Sequence, residues 1–265
     1  MSSLAKMLSV FDAFTPETPA LSAEDIMAKL GYSRGTAYRY IRELHTAGFL
    51  SRVAGQYTLG PRIIELDYHI READPHLQMI QKVMQALRDR TECDVLLTSF
   101  FENRVVVSLH ERGLSALKMS FGRGRAMPLF KGAGSKIILA CLPMARQRKL
   151  YAGHTAEIAA AGLGDTWEEF RAALLAIRRA GAAVSVAELD PDNVGVAVPV
   201  NTDPPGSLVL VFSAARYAMS DEKFVIQVAK EAAEQINEMI KKRNDDSDRV
   251  LDLLIEGPKI VAHGP

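Results

Sequence analysis

Residues 34–44 combine two kinds of side chain at spacings that separate them onto two faces of a helix. The apolar members recur at three- and four-residue intervals, as in an amphipathic helix: Ala37, Tyr40, Ile41 and Leu44. The polar members fall between them: Arg34, Thr36, Tyr38, Arg39 and Arg42. Arginine pairs bidentately with guanine, threonine contacts the thymine methyl group, and both bind phosphate. The pattern favours a helix that binds nucleic acid; the alternative is an ordinary solvated helix face.

A shorter helix is predicted immediately before this one. Ser22 is a good N-cap, and Asp25 follows three residues later, close to a capping box. Gly31 is expected to end that helix, and Ser33 to cap the next. Two helices joined by so short a turn form a helix-turn-helix. Residues 33–46, including Ser33 itself, would then be the recognition helix that enters the major groove of double-stranded DNA.

A small hairpin is predicted after the second helix. Residues 49–53 read as a strand, residues 54–56 as a turn, and residues 57–59 as the returning strand. Arg52 and Gln56 lie where such a wing would meet the sugar-phosphate backbone. The hairpin completes a winged helix-turn-helix over residues 1–60. For each of these two residues, packing of the hairpin on the helices is an equal alternative to DNA contact.

Positive charge is concentrated in this region. Residues 29–62 hold six basic residues and one acid, whereas the whole chain has 32 Lys and Arg against 32 Asp and Glu. Phosphate would therefore lie against the most basic part of an otherwise neutral chain. Because one module on a neutral chain would bind weakly, we expect a homodimer, or a dimer of dimers, that presents paired recognition helices.

Length and composition limit the remaining possibilities. The chain has 265 residues, 48% of them hydrophobic, which suits two domains. It lacks an apolar run of about 18 residues, so no membrane segment is expected. The apolar residues near the N-terminus instead predict a first helix over residues 3–14, with four side chains packed inside: Leu4, Leu8, Phe11 and Phe14. Two cysteines, Cys93 and Cys141, indicate neither a disulfide framework nor a zinc site. We expect a cytoplasmic protein without a metal or cofactor.

The second half has the pattern of an α+β domain. Residues 61–74 read as a linker helix, residues 75–243 as the second domain, and residues 244–265 as a tail without an evident function. Strands are predicted at residues 95–101, 104–110, 117–121, 183–186, 194–200 and 207–213. Helices are predicted at residues 77–90, 136–141, 167–180 and 221–242. This order favours an antiparallel sheet flanked by helices.

Three segments, in this order, resemble the IclR-type bacterial transcriptional regulators. They are residues 31–39, the wing at 55–60, and Pro128–Leu129 with residues 134–140. The resemblance covers about residues 3–242. It implies operator DNA as a partner, a dimer or dimer of dimers, a GAF-like effector domain, and a small organic acid as ligand. The positions that hold the ligand's acid group in that family fall near Ala133, Gly134, Asn193, Gly195 and Ser213. This sequence departs from the family where Ser135, rather than glycine, precedes Lys136.

The residues themselves also suit an acid. The sequence from Gly132 to Ser135 precedes a helix, where free backbone N–H groups and the helix dipole favour a carboxylate. Asn193 and Ser213 would add hydrogen bonds. An apolar wall would come from three further side chains: Met119, Met127 and Leu129. The alternative is that the glycines only allow a loop to pack tightly.

The sequence contains no complete motif of the common catalytic or nucleotide-binding sites. The segment before Lys136 lacks the spacing of a phosphate-binding loop, and Gly122 and Gly124 lack the third glycine of a dinucleotide fingerprint. The histidines have no evident triad partners. A ligand-responsive transcription factor, not an enzyme, is therefore the leading hypothesis. The alternatives are an architectural DNA-binding protein without a ligand, and an enzyme with an accessory DNA-binding domain.

Overall fold

The computed structural model describes residues 2–72, 75–114, 117–202 and 205–256. Two compact units divide the chain, Met1–Pro75 and His76–Pro265. The first unit contains α1 (Ser3–Leu8), a 3₁₀ helix (Ser9–Ala13), α2 (Ala23–Leu30), α3 (Arg34–Thr46), β1 (Leu50–Val53), β2 (Gln56–Leu59) and α4 (Pro61–Glu72). Helices α2 and α3 with the β1–β2 hairpin have the predicted winged helix-turn-helix architecture.

The caps of α2 form as their residue types predict, whereas Ser33 takes the N-cap position of α3 without a capping hydrogen bond from its side chain. Ser22 and Asp25 make a reciprocal capping box at the start of α2. Gly31 ends α2 with φ 66°, in the left-handed region that glycine adopts without a steric penalty. The apolar face of α3 is buried against α2 as expected, at Ala37, Tyr40, Ile41 and Leu44. The exposed face of α3 is thereby set by its packing.

The Ser22→Ala substitution is expected to lower the free energy of unfolding of the first unit by about 1 kcal/mol, because α2 loses its cap. Ser33→Ala is a matched control, since the Ser33 side chain makes no capping bond to α3. Hydrogen bonds from Ser22 lower the pKa of Asp25. The stability that the ionised Asp25 carboxylate contributes to α2 is therefore present at neutral pH, and it is lost as the pH falls through that lowered pKa. Urea denaturation of both variants at pH 7 and pH 3 measures this; equal losses in both variants would contradict it.

The start of the chain differs from the expected single helix over residues 3–14. Leu4 and Leu8 are 70% and 57% exposed, whereas Val10 is fully buried and Ala13 nearly so. The prediction that Leu4 and Leu8 pack inside is wrong. After Leu8 the chain tightens into the 3₁₀ helix, which has about three residues per turn, so the face that meets the core changes.

The wing forms with a small shift of the turn. Leu50 pairs with Leu59 and Val53 with Gln56. The turn consists of Ala54 and Gly55, with φ 50° and 85°. Two consecutive positive φ values are typical of the two-residue turns whose twist suits a hairpin. Gln56 therefore begins the returning strand and is not part of the turn.

The second unit is built on one antiparallel sheet of six strands. The strands are β3 (Asp94–Phe101), β4 (Arg104–Glu111), β5 (Ala126–Met127), β6 (Ala183–Val186), β7 (Asn193–Val200) and β8 (Gly206–Ser213), in the order β5-β4-β3-β8-β7-β6. The helices are α5 (Pro75–Thr91), α6 (Ala133–Cys141), α7 (Met144–Gly153), α8 (Thr155–Ala160), α9 (Trp167–Ala180), α10 (Ala214–Ala218) and α11 (Glu222–Glu256). One core joins the sheet to α5 and α11, and another joins it to α6, α7 and α9. The predicted α+β fold is confirmed.

Two predicted elements of this unit need correction. Residues 117–121 do not form a strand, because side chains bind backbone groups that a strand partner would use. Asp190 accepts the Ser120 N–H, and Asn193 donates to the Lys118 carbonyl. The last helix continues to Glu256, beyond the predicted end at residue 242, because no glycine or proline interrupts residues 222–256. Residues 257–265 of the predicted tail lie outside the described residues.

Candidate DNA-binding surface and effector cavity

Arginines on α3 and on the wing lie against tyrosine rings. The Arg34 guanidinium carbon lies 5.6 Å from the ring centre of Tyr38, and that of Arg39 lies 5.2 Å from the ring centre of Tyr40. On the wing, Arg52 lies 5.7 Å from the Tyr57 ring. Such cation–π contacts hold a guanidinium without neutralising its charge. The arginines therefore remain cationic and partly ordered on an exposed surface.

A groove brings α3 and the wing together. Its lining includes four predicted DNA-binding residues, Tyr38, Arg39, Arg42 and Arg52, together with His45, which sequence reasoning missed. His45 is exposed and follows Arg42 by three residues, so helical spacing alone indicates that it shares the face of Arg42. The arrangement collects several cationic and hydrogen-bonding groups along a single groove.

The remaining predicted DNA-binding residues lie outside the lining of this groove. Ser33 and Thr36 lie at the N-terminal end of α3, with Ser33 Oγ donating to Thr36 Oγ1 at 3.0 Å. Arg34 is exposed on the same turn, and Gln56 is exposed on the wing. Their positions leave the start of α3 polar and accessible, where a recognition helix contacts base edges.

In the second unit, six predicted effector-binding residues line one cavity. They are Met119, Met127, Ala133, Gly134, Asn193 and Gly195. The cavity measures about 40 Å³, well below the roughly 300–1,000 Å³ typical of ligand pockets. Its remaining wall is mainly apolar, with acidic groups at one side: Leu96, Phe121, Ser185, Glu188, Leu189, Asp190, Val209 and Val211. The observed form is therefore closed, and an organic ligand requires its loops to move.

Three other predicted effector-binding residues do not line the cavity. Leu129 packs half-buried against the neighbouring core. Ser135 is fully buried, and its hydroxyl donates to the Pro128 carbonyl at 2.8 Å. Ser213 caps α10 by accepting the Arg216 N–H. These side chains are used in local structure.

The start of α6 also differs from the expectation of free backbone N–H groups. Gly132 N–H donates to Glu188 Oε2 at 2.9 Å, and Ala133 N–H donates to Ser185 Oγ at 3.0 Å. Lys136, on the first turn of α6, bonds Glu188 Oε1 at 2.5 Å. The chain thus supplies its own carboxylate where a ligand carboxylate was expected. Sequence reasoning missed Ser185 and Glu188, which are about 50 residues distant along the chain.

Asp190 and Asn193, which line the cavity, hold the segment of residues 117–121 by hydrogen bonds. Asp190 accepts the Ser120 N–H through both oxygens, at 3.2 and 3.1 Å, and its Oδ1 accepts the Ser120 hydroxyl at 2.6 Å. Asn193 Nδ2 donates to the Lys118 carbonyl at 3.0 Å. The two segments that cover the cavity are therefore joined by hydrogen bonds that solvent can replace.

Other reactive groups have structural environments. Burial raises the pKa of the Cys93 thiol to about 12 and also raises the pKa of Cys141, so both thiols remain protonated at neutral pH. Among the residues described above, no cluster of His, Cys, Asp and Glu is suited to a metal ion. Within the same ranges, no helix is long and apolar enough to cross a membrane.

Both units match models of one protein family. Residues 3–54 match the IclR helix-turn-helix domain, and residues 75–238 match the bacterial transcriptional regulator IclR C-terminal domain. The HTH-type transcriptional regulator KipR of Bacillus subtilis is 25% identical over 141 residues, which is 53% of this chain and 56% of KipR. The chain thus matches just over half the length of this relative.

Solved structures show the same fold. An IclR family transcriptional regulator from Brucella abortus has TM-score 0.75 and 21% identity, covering 91% of this chain and 92% of its own. An IclR homologue from Microbacterium hydrocarbonoxydans, complexed with 4-hydroxybenzoate, has TM-score 0.70 and 21% identity, covering 91% of this chain and 100% of its own. With both domain models matched in order, the chain belongs to the IclR family of bacterial transcriptional regulators, with a helix-turn-helix DNA-binding domain and a C-terminal effector domain.

Proposed function

We propose that this regulator reads operator DNA with α3 in the major groove and changes its operator affinity when a small organic acid binds in the second unit. The observation that carries the DNA part is the exposed face of α3 with Tyr38, Arg39 and Arg42, continuous with the wing in one groove. Arg34, Thr36 and Arg39 would contact bases or phosphates, and Arg52 with Gln56 the backbone. The negatively charged phosphates of double-stranded DNA complement these cations.

A homodimer, or a dimer of dimers, is part of this proposal. Helix α4 exposes apolar side chains that its own unit does not cover: Ile64 is 71%, Tyr68 55% and Ile70 61% exposed. Ile64 and Tyr68 are four residues apart and share a helix face. Pairing of α4 with its copy would bury them and bring two recognition helices onto one operator in the bacterial cytoplasm. Residues 1–60, 61–74 and 75–243 would act as DNA-binding domain, linker helix and effector domain.

The effector part rests on the cavity. Met119 and Met127 offer an apolar wall, and Asn193 offers an amide near backbone groups of Ala133 and Gly134. Such a lining suits the apolar body of a small acid, whose carboxylate then has to compete with the acidic side chains that also line the cavity. The Microbacterium relative binds 4-hydroxybenzoate, so aromatic acids belong among the compounds to test. Binding would favour a conformation with different operator affinity, which is the thermodynamic requirement for regulation.

A thermal-shift screen tests the effector part. The full chain is heated with C2–C4 keto acids, dicarboxylic acids and aromatic acids, including 4-hydroxybenzoate. A true ligand at 100 times its Kd adds about 2.7 kcal/mol of stability. We expect Asn193→Ala to lose the shift and Asn201→Ala, an exposed amide just after β7, to keep it. If no acid stabilises the protein, the effector proposal fails and an architectural DNA-binding role becomes the better explanation.

A further inference from the structure

We propose that Glu188, which lines the effector cavity, is a built-in carboxylate bound to the donors at the start of α6, and that an acid effector must displace it. This inference rests on the proposed effector function and adds the way in which the site is regulated. Its basis is the contact set of one side chain: Glu188 binds the Gly132 N–H at 2.9 Å and the Lys136 ammonium at 2.5 Å. These donors are the ones that a ligand carboxylate would use.

The ion pair of Lys136 and Glu188 is largely buried. The Lys136 side chain is only 12% exposed and that of Glu188 26%. A buried ammonium needs a compensating anion, because desolvation without one is unfavourable. Glu188 supplies that anion in the closed form. A ligand carboxylate can therefore replace Glu188 without leaving Lys136 unpaired, whereas a neutral ligand cannot.

The cavity repels acids electrostatically while Glu188 stays in place. Glu188 and Asp190 both line it, so a bound carboxylate would lie beside like charges. Among the described lining residues there is no lysine or arginine. Movement of Glu188 out of the cavity removes one of these charges and exposes the Lys136 ammonium. The exchange thus converts an acid-repelling cavity into an acid-binding one.

The backbone directly before Glu188 is strained. Ala187, directly before it, has φ 54°, a left-handed conformation that a residue with a Cβ rarely adopts. Leu189, directly after it, lies over Gly132 so closely that a Cβ there would be 2.7 Å from Leu189 Cδ1. Residues 187–190 thus cover the start of α6. Release of Glu188 allows the Ala187 backbone to relax and opens the cover.

Displacement of Glu188 also affects residues 117–121, the second segment that covers the cavity. Asp190 lies two residues after Glu188 and holds Ser120 through its N–H and hydroxyl. If residues 187–190 move, the hydrogen bonds from Ser120 to Asp190 change, and residues 117–121 are released. One exchange of carboxylates would therefore enlarge the closed cavity of about 40 Å³ from both sides. This links ligand charge to a conformational change in the effector domain.

Chemical rescue with propionate tests the inference without knowledge of the natural effector. In Glu188→Ala the donors lose their carboxylate, so sodium propionate is expected to raise the melting temperature in a saturable manner. The wild-type protein should show no more than the effect of sodium chloride at equal ionic strength. Glu157→Ala, which removes an exposed carboxylate in the same unit, is the control. Adding Lys136→Met to Glu188→Ala should abolish the rescue.

Glu188→Gln provides a second variant that retains the size of the side chain if Glu188→Ala folds poorly. It should bind propionate at least tenfold more tightly than the wild-type protein in isothermal titration. Equal or weaker propionate binding by the variants overturns the inference. An effector found in the wild-type screen with no rescue by propionate sinks this inference alone. Rescue by propionate with no effector found would instead count against the proposed function.

Discussion

The double substitution Arg39→Ala with Arg42→Ala is expected to weaken operator binding by about 2–6 kcal/mol, on the scale of about 1–3 kcal/mol for each lost arginine contact. Both arginines are exposed on α3 and line its groove with the wing. Fluorescence anisotropy with a DNA duplex, selected from a random library by the wild-type protein, measures the change. A titration in salt separates phosphate contacts from base contacts, since each lost phosphate contact lowers the salt slope by about 0.9.

Arg171→Ala with Arg179→Ala is the matched control for this experiment. It removes the same charge from exposed positions of α9 in the second unit. If both double variants weaken binding equally, the effect comes from net charge and the assignment of the α3 face is wrong. If the α3 variant binds like the wild-type protein, DNA uses another surface.

Phe170→Ala is expected to destabilise the second unit by about 3–5 kcal/mol, the range for loss of a large buried aromatic side chain. Phe170 is fully buried at the centre of an aromatic cluster. Its ring centre lies 5.8 Å from that of Tyr151, 6.2 Å from Trp167 and 6.4 Å from Phe130. Neighbouring rings cannot fill the space without losing these contacts, so a cavity remains.

The single tryptophan makes this measurement specific to the second unit. Trp167 contacts Phe170, so its emission during urea denaturation reports on the core that is changed. Leu175→Ala on the same helix is the control, because Leu175 is 39% exposed and its removal should change stability by about 0.5 kcal/mol or less. A loss below about 1 kcal/mol for Phe170→Ala would show that the cluster does not hold this core together.

The parts of the fold that sequence predicted best are those set by neighbouring residues. The cap at Ser22, the left-handed Gly31 and the period of α3 all act within a few residues, and each appears as expected. Prediction failed where distant groups decide. Residues 117–121 look like a strand, but Asp190, about 70 residues later, binds Ser120 and keeps the segment out of the sheet.

The candidate effector site shows the same division. Gly134 and Gly195, which the family resemblance places near the ligand, both line a cavity. Whether N–H groups at Gly132 are open to a ligand depends on Glu188, 56 residues away in sequence. No local pattern reports that contact.

The order of the sheet has a consequence for how copies of this chain can meet. Its outer strands are short: β5 has two residues and β6 has four. Short edges present few backbone groups for pairing with a strand of another molecule. Sheet extension, the route to many fibrous aggregates, is therefore disfavoured at these two strands, in keeping with the proposed pairing of copies through the apolar side of α4.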